Sequence, residues 1–188
     1  MNPNVAEEIR TALHEAAHTI VTASQYFQQA GGERVEGGLF LTGVSIIPQN
    51  GHQGECGVLE KTDCTHTLNS IDLAGITATY LASGSMREIL YDCKGDADFI
   101  SGRMGIRAGD ILAAIGSILT GERSPFANCE WYMVLVDSYK LCKVIIETRM
   151  LYILELANHL LTVKDMNLRA VHDYIHTHEI RARDWSAA

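Results

Sequence analysis

No stretch of this chain holds the eighteen or more consecutive apolar residues of a membrane-spanning helix, so no membrane span is expected. Basic charge is in short supply as well. Against 23 Asp and Glu there are 15 Lys and Arg, a formal net charge of −8, and no Lys/Arg cluster is longer than about a pair. A nucleic-acid partner and an anionic membrane surface are therefore not expected. The five cysteines (Cys56, Cys64, Cys93, Cys129 and Cys142) are odd in number, scattered and without a CxxC pair. That excludes an obvious disulfide framework and favours a reducing compartment, each thiol serving as a small hydrophobe. The phosphate loop GxxxxGK[ST] is missing, and so are internal repeats and low-complexity tracts. Glu7 and Glu8 fall where the apolar core of a signal peptide would begin. Together these absences predict a soluble, cytoplasmic protein without a nucleotide motor of its own.

What remains is a globular composition. Hydrophobic residues make up 47% and mean hydropathy is +0.02, enough for a proper core in one domain of 188 residues. Gly121 to Pro125 is the clearest internal loop, dividing the expected single domain into residues 1–121 and a helical part, residues 122–188.

The first segment, Val5 to Ala30, reads as a helix. Asn4 can cap it, Glu7 can close the capping box, and Gly31-Gly32 can stop it. Leu39 to Ile47 reads as a strand ended by Pro48, and Cys56 to Lys61 as a shorter one across the turn chemistry of Asn50-Gly51 and Gly54. Two strands alone are marginal in water, so the hairpin must pack on the first helix or recruit another strand. Helical spacing returns over Thr67 to Ser83, with Ile71, Ala74, Ala78 and Leu81 on one stripe. Short helices follow over Gly95 to Arg107, where Asp96 can cap, and over Asp110 to Leu119. Asn128 to Leu161 is one long helix or two joined near Thr148, its core candidates being Trp131, Leu135, Leu141, Ile145, Tyr152, Leu156 and Leu160. Asp165 can cap a last helix to His178. The class expected is α+β, mainly α-helical, with a small β-hairpin or sheet and a C-terminal helical bundle.

Chemistry concentrates in the first helix, at His14-Glu15-Ala16-Ala17-His18. Residues four apart share a helix face, so His14 and His18 can hold one Zn²⁺ while Glu15 stands beside the metal as a general base. Shuffling this composition yields an HExxH string in about two chains per hundred. A third ligand is still needed. The run Thr19 to Gln29 lacks the HExxHxxGxxH extension, which rules out a metzincin. Asp92, Asp96, Asp98, His52, Glu88 and Glu130 are the remaining candidates, and residue chemistry alone does not rank them. His172 and His176, four apart but without a neighbouring glutamate, read as a solvated face, and His159 as a satisfied core histidine.

The order of motifs resembles the peptidase domain of the FtsH-type zinc metalloproteases. HEAAH at His14 to His18 resembles that family's HEAGH. Val44-Ser45-Ile46-Ile47-Pro48 resembles its V-x-I-I-P strand, and Gly54 to Leu59 its Gly-containing strand. Leu73-Ala74-Gly75-Ile76-Thr77-Ala78 resembles its L-A-G-x-x-A helix, and Gly95 to Phe99 the segment that carries an aspartate ligand. The resemblance implies a zincin-like HExxH helix, Zn²⁺ held by His14, His18 and Asp98, and Glu15 as the catalytic base, with Asp96 falling at a helix cap. It further implies a strand, Val44, Ser45, Ile46 and Ile47, whose exposed edge takes up a polypeptide substrate. The family's acidic pair after its G-R-A-A segment is replaced by Thr79-Tyr80, and its ATPase and membrane segments have no counterpart in the motifs found here. The activity implied is that of a zinc-dependent endopeptidase, fed by a separate ATPase or a homo-oligomer, or working without either. Two alternatives stand beside it: a non-catalytic binding or adaptor protein retaining a structural zinc site, and a metal-dependent amidase acting on small substrates.

Overall fold

In a computed structural model, residues 3–25, 40–48, 54–59, 73–80, 111 and 131–178 are described. They form helix α1 (Pro3–Gln25), strands β1 (Phe40–Ser45) and β2 (Glu55–Leu59), helix α2 (Ala74–Tyr80), helix α3 (Trp131–Val163), strand β3 (Asp165–Asn167) and helix α4 (Leu168–Thr177). The protein is mainly helical with a small three-stranded antiparallel sheet. It divides into two compact units: Met1–Thr62 with Thr148–Ala188, and Asp63–Glu147.

In the first unit the sheet order is β2-β1-β3. The hairpin expected from sequence is present, β1 pairing antiparallel with β2, and α1 packs on both strands. Pairing runs Leu41↔Val58, Gly43↔Gly57 and Val44↔Cys56, so Thr42 is an extra residue in β1. The bulge therefore puts Leu41 and Val44 on one face although they are three apart, and both are buried. At Gly57 a Cβ would collide with the Thr42 hydroxyl, so the bulge needs glycine opposite it.

The hairpin also recruits another strand, at a place the sequence did not indicate. Asp165–Asn167 pairs with Gly43–Ser45, and its middle residue, Met166, is buried opposite Val44. The cap of the last helix moves accordingly. Asp165 is taken up by the sheet, and Asn167 is the N-cap instead, its side-chain oxygen accepting from the Ala170 N–H at 3.0 Å. Helix α4 packs on β1 and β3 and buries Val171.

Helix α1 begins at Pro3, the favoured first helical position, so Asn4 lies inside the helix and not at its cap. Glu7 pairs with Arg10 at 2.6 Å. From Thr11 onward α1 is enclosed on most sides: Ala12, Ala16, Ala17, Ile20 and Val21 are fully buried. Buried threonines are accommodated by bonding back along the helix. Thr11 donates to Glu7 O (3.1 Å), Thr19 to Glu15 O (2.8 Å) and Thr22 to His18 O (2.7 Å).

Helix α3 is one continuous helix, with no break at Thr148, which is exposed. Within its residues 148–163, Ile153, Leu156 and Leu160 are buried. Tyr152 is half-buried. His159 is not a core residue. It is exposed and stacks on Tyr174, with ring centroids 5.5 Å apart. In the second unit the described core includes Leu73, Ala74, Ala78, Ile111, Leu135, Val136, Tyr139, Cys142, Ile145 and Ile146, with Leu141 half-buried. Ala74 and Ala78 are buried, as are Gly75 and Thr77 between them. The side chain of Trp131, with Ile71, Leu81 and Gly31-Gly32, lies outside the described residues. So do the helices expected over Gly95 to Arg107 and Asp110 to Leu119, apart from helical, buried Ile111.

Candidate active site

His14 and His18 lie one turn apart and are half-exposed, whereas from Thr11 to Ser24 every other residue of α1 except Leu13 is buried. Their Nε2 atoms are 3.1 Å apart and the rings meet edge to face, with centroids at 4.7 Å. Without a metal, one ring's Nε2–H can donate to the lone pair of the other. With both lone pairs turned toward a shared ion at about 2.0–2.1 Å, the same separation subtends an angle of about 100°, within reach of tetrahedral coordination. The two imidazoles therefore fit Zn²⁺ as a pair.

Glu15, next to His14 in the chain, is buried, 6% exposed. Its side chain lies against the start of β2. A Cβ placed on Gly54 would stand 2.8 Å from both Cγ and Oε1 of Glu15, and the same distance from Thr11 Cγ2. Two residues further along, Cys56 Sγ meets Thr19 Oγ1 at 3.4 Å. Since the Thr19 hydroxyl hydrogen is committed to Glu15 O, the thiol is the donor in that contact. Cys56 is half-buried. That burial pushes the thiol up to about 12, with Glu15 and Glu55 pushing it further. Cys56 is thus a neutral packing group beside the glutamate.

Among the described residues no three His, Cys, Asp or Glu side chains stand close enough together to hold a metal ion. Asp98, and with it Asp92, Asp96, His52, Glu88 and Glu130, lies outside those residues. His172 and His176 are exposed, as expected of a solvated face, and His172 Nε2 lies 3.1 Å from Leu41 O.

The expected free edge at Val44 to Ile47 is not there. β1 is the central strand, with Val44 and Ser45 paired to Cys56 and Glu55 on one side and to Met166 and Asp165 on the other. Just beyond, Ile46 N–H donates to Lys164 O at 2.9 Å and Ile47 N–H to Ser45 Oγ at 3.2 Å. Backbone groups already used in a ladder cannot accept another strand. The outer edge of β2 carries no second strand among the described residues. Sequence reasoning missed Gly54, Thr19 and Cys56 as parts of this site. Gly54 carried only a turn signal, and nothing in the string tied it to a glutamate 39 positions earlier.

The sequence matches no protein-family model and no curated protein. Among the described residues no helix is long and apolar enough to cross a membrane.

Proposed function

We propose that this chain is a zinc-dependent endopeptidase with a zincin-like site, similar to the peptidase domain of FtsH-type proteases. One observation carries the reading: two half-exposed imidazole nitrogens 3.1 Å apart on one helical turn, with a buried glutamate between them in sequence. His14 and His18, joined by Asp98 on the strength of the resemblance, would hold the ion. Bound there, Zn²⁺ supplies Lewis acidity toward water and toward a carbonyl oxygen. Glu15 takes the proton of the attacking water and passes it to the leaving amide nitrogen. The substrate is an extended polypeptide, and the strand edge that supports its uptake is that of β2, which starts beside Glu15, in place of the occupied edges of β1.

The test compares zinc-loaded wild type with Glu15→Gln on an unfolded substrate such as casein. Loss of the general base should lower the rate by about 10²–10⁴-fold while each chain still binds one zinc. Equal rates for the two proteins would remove the endopeptidase reading. If zinc removal then unfolded the chain, the adaptor with a structural zinc would take its place.

A further inference from the structure

Three residues of α1 form a ridge at intervals of four: Thr11, Glu15 and Thr19. Each interval rises about 6 Å along the helix axis. Two residues of an antiparallel strand advance about 6.8 Å, so a strand laid along such a ridge stays nearly in step with it. The start of β2 does this. Gly54 sits where a Cβ would touch Thr11 and Glu15 together, and Cys56, two residues on, reaches Thr19.

We propose that Gly54, secured by the Cys56–Thr19 contact, is the positioning element for the Glu15 carboxylate. The missing Cβ leaves the space that Glu15 Cγ and Oε1 occupy, and the backbone of Gly54 closes that side of it. The Cys56 thiol donates to the Thr19 hydroxyl, which donates to the carbonyl of Glu15 itself, so strand and helix are fixed to each other one turn beyond the carboxylate. Any side chain at position 54 must push Glu15 or Thr11 aside. The alternative, displacing the strand, breaks the contact at Thr19.

The catalytic sense of this assignment rests on the endopeptidase reading, whereas the geometry does not, and the experiment separates them. Gly54→Ala should leave zinc affinity within about twofold, because it touches neither histidine, and lower kcat by about 10²-fold with little change in KM, the usual scale for a group displaced by about 1 Å. Cys56→Ser keeps a hydroxyl donor and should retain kcat within about threefold, while Cys56→Val should fall with Gly54→Ala. This second pair carries the test if Gly54→Ala does not fold. In the metal-free chain labelled with ¹³C at glutamate Cδ, the Glu15 resonance, assigned through Glu15→Gln, should shift in Gly54→Ala and Cys56→Val but not in Cys56→Ser. A resonance unmoved in the first two overturns the proposal. A resonance that moves in a protein with no peptidase activity supports the positioning role and removes the catalytic reading alone.

Discussion

Lys164 Nζ stands 2.6 Å from Glu8 Oε1, joining two residues 156 positions apart in the chain. Lys164 follows the last residue of α3 and takes a left-handed backbone, φ 66°. Its N–H caps the helix by donating to Leu160 O at 2.8 Å, and its carbonyl accepts from Ile46 N–H at 2.9 Å. One residue thus ends a helix, ties down the end of β1 and pairs with α1. Both charged groups are about two-fifths exposed, so the ion pair contributes less than about 1 kcal/mol. The left-handed backbone costs a non-glycine residue about 1 kcal/mol. Lys164→Ala should therefore destabilise by about 0.5–1 kcal/mol, since it loses the pair and keeps the strain. Lys164→Gly should be close to neutral, since it loses the pair and relieves the strain. Urea unfolding of the two variants checks the sign of their difference, and Gly less stable than Ala would contradict the capping role.

The cap of α4 gives a second comparison. Asn167→Ala removes the acceptor of the Ala170 N–H and should cost about 1 kcal/mol. Asp165→Ala touches an exposed strand residue and should stay within about 0.5 kcal/mol. The reverse order in chemical denaturation would restore the cap at Asp165 that the sequence alone favours.

These two residues show where the sequence was readable. HEAAH, the helix carrying it and the hairpin beside it are local patterns. A glutamate between two histidines four apart announces itself in the string, and so do β-branched runs separated by turn residues. Asp165–Asn167 does not. Three residues have no period, and they become a strand only because Met166 is buried against Val44, 122 positions earlier. That pairing closes the second edge of β1 and moves the helix cap by two residues, so one hidden contact accounts for both errors. His159 looked like a core residue because its neighbours are apolar, yet it sits on the outer side of α3 against Tyr174. The third ligand rests on motif order alone.

Metal binding should follow the histidine pair. Wild type is expected to carry one zinc per chain, and His14→Ala or His18→Ala should weaken binding by at least about tenfold in competition with a chelator, since each removes one of two preformed donors. Asp98→Asn is the informative partner. A loss of similar size would make Asp98 the third ligand, and an unchanged affinity would return that role to Asp92, Asp96, His52, Glu88 or Glu130. Glu15→Gln, which leaves both rings in place, should bind zinc as the wild type does.

Burial pushes Cys56 and Cys142 up to about 12 in the folded chain, against an ordinary value of 9.0. A thiol whose pKa is raised by folding holds its proton in the native state at a pH where the unfolded chain has released it. Its stabilising effect is complete below pH 9 and is lost as pH climbs from 9 toward 12, at a rate of up to about 1.4 kcal/mol per pH unit for each thiol. Stability should therefore fall on the alkaline side. Cys56→Ser, which cannot ionise in that range, should flatten part of the slope while leaving stability at pH 7 nearly unchanged, because the hydroxyl still donates to Thr19. A native thiol that stays protonated at neutral pH should react with a soluble thiol reagent more slowly than an unfolded cysteine does. Rapid labelling of native Cys56 at pH 7, or an alkaline slope identical in Cys56→Ser, would show that its sulfur is open to solvent and not seated against Thr19.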